Sequence, residues 1–310
     1  VLVVDKPAGW SSARVVGRIK HLLGSRKVGH AGTLDPFATG VLVCLVGHAT
    51  RLARFFLSGA KRYDAILRLG IETDTQDATG TILRRSAVAR LRRQQVAELL
   101  AQFEGNSKQV PPAYSALKHQ GVPLYKLARQ GRPVRKPARA VHIAELHLRA
   151  LDWPMLHLDV ACSAGTYIRT LCADIGTKLG CGGHLQALRR TQSSGFNLGD
   201  ALPWDRVEAL GQKGALDALV VSPAAALCQM PVLLADAVTQ DKVLRGCPLQ
   251  RHDFIVSDPA DAPLPDGTAG QPYKVLNQNR DLLAVVGYDP ATKGFHYYCV
   301  FPDAIVGAGS

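Results

Sequence analysis

The sequence predicts an α+β protein: a large domain on a mixed, mainly antiparallel sheet, then a small β-rich domain. Three observations carry this. Several segments, KRYDAILRLG, RAVHIAELHLRAL and MLHLDVAC, alternate apolar and polar residues with the period of a half-buried strand. Others carry apolar residues three and four apart, as a one-sided helix does; Val96, Leu99, Leu100 and Phe103 are such a set, in a helix expected from about Arg92 to Phe103. From about Pro231 the chain changes character, to one short helix and then a hairpin turning at NQNR within YKVLNQNRDLLAVVGYD. The expected domains are therefore 1–230 and 231–310.

Composition narrows the function. The 310 residues are 47% hydrophobic and 20% charged, enough to build a substantial core. The formal net charge is +12, which suits a polyanion, because each neutralised phosphate releases condensed counterions. No apolar run reaches the roughly 18 residues of a membrane span, and no signal peptide is visible. The seven cysteines include no CxxC pair. Cys44, Cys162, Cys172 and Cys299 lie in apolar or periodic stretches, as buried free thiols do. A reducing cytoplasm is the expected compartment, with no membrane partner.

Taken in order, VLVV reads as a strand and DKPAGWSS as a turn whose Ser12 can cap a helix. Val15, Val16, Ile19, Leu22 and Leu23 give that helix an apolar face. Next comes a glycine-rich loop, GHAGTLDPFATG, running into the apolar strand VLVCLV. Its one carboxylate, Asp35, precedes Pro36, which biases it toward extended backbone. Gly29, Gly32 and Gly40 allow tight turns or close backbone approach. Asp35 is thus either a fixed acid on a shaped loop or a cap on a turn amide. A helix follows from about Thr50 to Leu57, and Tyr63 heads one face of the KRYDAILRLG strand.

IETDTQDATG, with Asp74 and Asp77, reads as a polar turn without the spacing of a calcium loop. The stretch 111–139 is basic, proline-rich and free of acids. Its Lys118, Lys126, Arg129, Arg132, Arg135, Lys136 and Arg139 are interleaved with Tyr114 and Tyr125, a composition that suits a nucleic-acid clamp. In CSAGTYIRTLCADIGTKLG, Thr166 is the expected helix cap. Arg169 falls in the first turn, where the helix dipole disfavours a cation, so a partner is expected for it. Arg189 and Arg190 can meet phosphate or face solvent. The phosphate-cradling motifs GxGxxG and GxxxxGK[ST] are absent.

GHAGTLDPFATGVL resembles the catalytic motif of the bacterial TruB family of tRNA pseudouridine synthases. VDKPAGWSS, KRY, YSALK with LYKLARQG, and GTYIRT resemble further family motifs in the same order. The resemblance implies a pseudouridine synthase fold followed by a PUA-like RNA-binding pseudo-barrel. It implies Asp35 as the catalytic carboxylate, Tyr63 stacking on the target base, and Arg169 pairing with Asp35. Tyr167 would line the site, Leu188 pack near the reacting ring, and His30 pack against a flipped nucleotide. DKPAGWSS would buttress the catalytic loop, and 111–139 would be a thumb-like insertion gripping tRNA. The implied reaction isomerises uridine-55 in the T-loop of tRNA, with no cofactor and no metal; a monomer is expected. Two alternatives are a tRNA-folding chaperone and a guide-RNA-dependent synthase of the dyskerin type; the thumb-like insertion argues against the second.

Overall fold

The computed structural model describes residues 1–25, 27–255 and 270–302. The chain divides into two compact units: residues 3–45 with 53–217, and residues 1–2 and 46–52 with 218–310.

The first half of the larger unit's chain supplies β1 (Leu2–Lys6), α1 (Ser12–Leu22), β2 (Val28–His30), β3 (Thr39–Val46), α2 (Ala53–Leu57), β4 (Lys61–Leu69), β5 (Ile71–Thr73), β6 (Ile82–Arg85), α3 (Arg93–Ala101) and β7 (Gly105–Gln109). Then follow β8 (Lys118–His119), β9 (Val122–Pro123), α4 (Leu124–Arg129), β10 (Arg139–Asp152), β11 (Met155–Cys162), α5 (Ile168–Lys178), β12 (Gly183–Ser193), β13 (Phe196–Asn197), β14 (Leu202–Pro203) and α6 (Trp204–Gln212).

The main sheet has the order β14-β1-β3-β12-β4-β11-β10-β7. The β1–β14 and β3–β12 pairs are parallel, while β12–β4, β4–β11, β11–β10 and β10–β7 are antiparallel. The sheet is thus mixed and mainly antiparallel, as the alternating segments predict.

β4 lies at its centre and shows why period two matters. Tyr63, Ala65, Leu67 and Leu69 are buried on one face, while Asp64 is exposed on the other. On the buried face Leu67 sits opposite Leu156 and Leu185. All three are fully buried, and burying a leucine contributes about 1.5–3 kcal/mol. Val96 and Leu100 of α3 and Ile168, Leu171 and Ile175 of α5 pack on the same core. Where β3 meets β12, Gly40 has φ +102°, and a Cβ there would stand 2.2 Å from the Arg190 carbonyl oxygen. Only glycine permits that approach.

Four local expectations need correction. Ser11, not Ser12, caps α1 by accepting from the Arg14 amide at 3.1 Å. Thr166 does not cap α5; Tyr167 holds that position without a side-chain bond. The helix expected from Thr50 begins instead as a 3-10 turn, Gly47–Leu52, before α2. Cys299 is half-buried, whereas Cys44, Cys162 and Cys172 are buried.

The smaller unit carries α7 (Pro223–Ala226), β15 (Val232–Ala235), α8 (Ala237–Leu244), β16 (Leu249–Gln250), β17 (Phe254–Ile255), β18 (Pro272–Leu276), β19 (Leu282–Asp289) and β20 (Gly294–Val300). Its six strands, in the order β16-β20-β19-β18-β15-β17, form a nearly closed pseudo-barrel. Phe295 lies at the core, edge-on to Phe254 at 5.2 Å between ring centroids. The hairpin turns at Asn277–Arg280 as predicted, with the Asn277 amide donating to the Asp281 carbonyl. Buried Lys274 donates to the carbonyls of Ala224 at 3.1 Å and Leu227 at 2.9 Å, tying that stretch to β18. The irregular stretch after Arg251 falls largely outside the described residues.

Candidate active site

The loop bearing Asp35 is held on both sides by the DKPAGWSS turn. Lys6 is fully buried, and its ammonium donates to the carbonyls of Pro7 at 2.7 Å, Trp10 at 2.7 Å and Pro36 at 3.2 Å. The Gly9 amide donates to the Pro36 carbonyl at 2.8 Å. The Ser12 hydroxyl accepts from the Leu34 amide at 2.9 Å and donates to the Leu34 carbonyl at 3.1 Å. The residues flanking Asp35 are therefore fixed, while its carboxylate stays available. The expected buttress is present, and Ser12 serves it rather than the helix cap. Burial pulls the Lys6 ammonium down to about 8, with the nearby Asp35 charge opposing the shift.

Arg169 reaches Asp35 from the first turn of α5. Its Nε lies 3.0 Å from Asp35 Oδ2, and Nη2 donates to Oδ1 at a long 3.4 Å. The guanidinium is anchored independently of Asp35, through Nη1 to the Thr75 carbonyl at 3.1 Å and Nη2 to the Tyr114 carbonyl at 2.8 Å. A second carboxylate, buried Asp77, stands 3.6 Å from Nη1. Its Oδ1 accepts from the Thr75 hydroxyl, the Thr79 amide and the Thr79 hydroxyl, at 2.8, 2.9 and 2.6 Å. Two carboxylates thus offset the unfavourable placement of an arginine at a helix N-terminus. Burial raises the Asp35 pKa above the ordinary aspartate value; Arg169 opposes this and the Asp77 charge adds to it.

Asp35 and Arg169 open into a cleft of about 300 Å³, lined also by Lys61, Tyr63, Ser115, Arg139, Tyr167, Leu188 and Arg190. Tyr63, Tyr167 and Leu188 are therefore brought together with the acid. β4 and β12 place Tyr63 opposite Arg190, and Leu188 opposite Ala65, on the face where the cleft opens. Burial raises the Tyr63 pKa, and the facing Arg190 guanidinium opposes this. The Tyr167 backbone is clamped by Gln109, which accepts from its amide at 2.7 Å and donates to its carbonyl at 3.0 Å. His30 ends β2 and is not among the lining residues; burial lowers its pKa and its Nδ1 has no partner among the described residues.

Arg189 stays partly exposed to solvent, as expected, while Arg190 does not face solvent at all. Arg189 forks onto Asp5, at 2.6 Å to Oδ2 and 3.1 Å to Oδ1. Arg190 is fully buried and donates to the carbonyls of Val41 at 2.7 Å and Gly32 at 3.1 Å. Sequence reasoning missed it and Asp77. An acid flanked by two threonines reads as a self-bonding turn, and nothing local points from it to Arg169.

In the basic insertion, Lys118 lies on β8 and Lys126 and Arg129 on α4. Arg132 and Arg135 lie in the segment leading to β10. All five are exposed; Lys136 is half-buried, 3.4 Å from His119 Nδ1. Among the described residues none of the six pairs with a carboxylate.

The cleft thus gathers one oriented carboxylate, two tyrosines and four cations, the outline of a reaction site. Sequence comparison refines it. The family model for the TruB family pseudouridylate synthase N-terminal domain matches residues 20–168, and that for the tRNA pseudouridylate synthase B C-terminal domain matches 169–227. A tRNA pseudouridine synthase B of Syntrophotalea carbinolica is 49% identical over 233 residues, 75% of this chain and 76% of that protein. One of Geobacter sulfurreducens is 43% identical over 267 residues, 86% and 87% of the two chains. The chain belongs to the TruB family of pseudouridylate synthases. The fold also matches a crystal structure of a Cbf5–Nop10–Gar1 complex, with TM-score 0.69 at 24% identity, over 92% of this chain and 77% of that one. Among the described residues no helix is long and apolar enough to cross a membrane.

Proposed function

We propose that this chain isomerises uridine-55 in the T-loop of tRNA to pseudouridine, with Asp35 as the catalytic carboxylate. The observation that carries the reading is the Asp35–Arg169 ion contact at 3.0 Å, in the cleft that Tyr63 lines. The reaction breaks the C1′–N1 bond, forms C1′–C5, and moves the C5 proton away as N1 gains one. It has no net redox change. Ionised Asp35 either attacks C1′ covalently or removes a ribose proton on a glycal route. Arg169 keeps the carboxylate charged and aimed when the nucleotide displaces water.

The target lies in a folded T-loop, so it must be flipped out at a cost of a few kcal/mol. Stacking on Tyr63, at about 1–3 kcal/mol per base, offsets this. Tyr167 and Leu188 line the reacting ring's site, and His30 meets a neighbouring nucleotide outside the cleft. Lys118, Lys126, Arg129, Arg132, Arg135 and Lys136 grip phosphates of the T-arm. In this reading residues 1–230 hold the whole catalytic site and 231–310 form a PUA-like RNA-binding part. The protein works as a monomer in the cytoplasm, where its tRNA is, and the 111–139 insertion makes it independent of a guide RNA. Incubation with an unmodified tRNA transcript, followed by pseudouridine mapping, tests the proposal. One modified position in the T-loop is expected; no product, or product elsewhere, contradicts it.

A further inference from the structure

Four cations line the cleft around the single carboxylate of Asp35, and three are committed to the protein. Lys61 donates to the carbonyls of Leu57 at 3.1 Å and Gly59 at 2.7 Å. Arg190 is held by its two carbonyls, and Arg169 by Asp35, Asp77 and two more. Arg139 differs. It opens β10, opposite Gln109, the residue that clamps Tyr167. Its Nη2 donates to the Gly165 carbonyl at 2.8 Å, and its guanidinium lies over the Tyr167 ring, 4.7 Å from the centroid. Among the described residues its Nε is shielded from solvent yet has no acceptor; Arg169 Nε, likewise without a hydrogen bond, has its ion contact with Asp35, whereas no carboxylate pairs with Arg139. The Ser115 hydroxyl, 3% exposed and lining the same cleft, also lacks a partner among the described residues.

An unmet buried donor costs free energy until something accepts from it. The uracil ring is neutral: its carbonyls can accept a hydrogen bond but do not balance a positive charge. The nucleotide's own anion is its phosphate, and arginine suits phosphate because its donors are fixed in a plane. We propose that Arg139 is a substrate-binding residue that holds a phosphate flanking the flipped nucleotide. Stacking on Tyr167 sets the guanidinium plane, and the bond to Gly165 fixes its rotation, so Nε is presented ready-made. The residue therefore belongs to the reaction site, although in sequence it closes the basic insertion. The inference deepens the proposed function and rests on it.

The test uses T-arm stem–loop RNAs carrying a neutral methylphosphonate either 5′ or 3′ of the target uridine. Wild type, Arg139→Gln and Arg139→Lys are compared by kcat/KM and by RNA affinity. One of the two neutral linkages is expected to lower wild-type kcat/KM about tenfold or more, the size of one charge-assisted hydrogen bond. Arg139→Gln is expected to lose a similar factor on unmodified RNA and to be indifferent to that linkage. Arg139→Lys is expected to regain part of both the activity and the sensitivity. A purely structural Arg139 would leave the variants as sensitive as wild type, which overturns the proposal. Wild type indifferent to both linkages overturns it without any variant. Wild type making no pseudouridine on unmodified RNA contradicts the proposed function instead. Affinity then decides Arg139: loss of the linkage's effect in Arg139→Gln supports the phosphate contact, and equal effects overturn it.

Discussion

The cleft and the basic insertion both collect arginines and lysines, but they treat the charge in opposite ways. In the cleft Arg169, Arg190 and Lys61 are buried, each tied to carbonyls or carboxylates on different elements. In the insertion Lys118, Lys126, Arg129, Arg132 and Arg135 are exposed and pair with no acid among the described residues. Buried, partnered charge cannot rearrange cheaply, so it holds geometry. Exposed, unpartnered charge holds no geometry but is free to exchange counterions for phosphates. In the proposed function chemistry and grip therefore occupy separate regions and can be removed separately.

Three substitutions, two in the cleft and one behind it, put that separation at risk. Asp35→Asn is expected to lower single-turnover rate by about 10³-fold or more while tRNA affinity stays within a few-fold. Appreciable product from the purified variant would refute the acid's role. Arg169→Lys keeps the charge but loses the planar fork, and a rate loss of about 10²–10³-fold is expected. Near-normal turnover would mean that the arginine serves something other than Asp35. Asp77→Asn touches no substrate in this account, yet loosening Arg169 is expected to cost about 10²-fold in kcat, since small misplacements are that costly. An unchanged kcat would show that the two backbone carbonyls alone hold the arginine.

Much of this was legible in the chain. The alternation of β4 placed Tyr63 on the buried face, because strand period two admits no other register once Leu67 and Leu69 are inside. Asp35 stood out as the sole acid of a glycine-rich loop feeding an apolar strand, and Arg169 as a first-turn arginine needing a partner, which the family resemblance named as Asp35. What stayed hidden depends on tertiary contact. Ser11 and Ser12 are equivalent caps by sequence; the approach of Leu34 claims Ser12 and leaves the cap to Ser11. Asp77 looks like a turn residue because Thr75 and Thr79 do satisfy one of its oxygens, and only the fold brings Arg169 to the other. Arg190 carries a surface-type side chain, and nothing local foretells the two carbonyls that receive it inside.

Two smaller effects refine the contrast between cleft and insertion. Changing Arg132, Arg135 and Lys136 together to Ala is expected to make the salt dependence of tRNA binding shallower, by roughly 0.7–0.9 for each phosphate that is no longer neutralised. Filter retention across a salt series reads this, and equal slopes would leave the insertion as a solvated face. The pH profile reads the cleft. Burial raises the Asp35 pKa, so the carboxylate takes up its proton at a higher pH than an ordinary aspartate. Because the folded-state value lies above the unfolded one, protonation here does not weaken the fold. The acid limb of kcat/KM is therefore expected above the usual aspartate range, while the protein is still folded. A limb coinciding with loss of near-UV circular dichroism would contradict this.

The most direct test of the separation is single-turnover pseudouridine formation over a series of protein concentrations, in excess over unmodified tRNA. Wild type, Asp35→Asn and the Arg132, Arg135, Lys136 triple variant are run side by side. The triple variant is expected to need more protein but to reach nearly the wild-type plateau rate. Asp35→Asn is predicted to bind at wild-type concentrations and to stay about 10³-fold slower or more at every one of them. A triple variant whose plateau rate falls as far as that of Asp35→Asn would show that the insertion takes part in the chemistry, and the division between geometry and grip would be wrong.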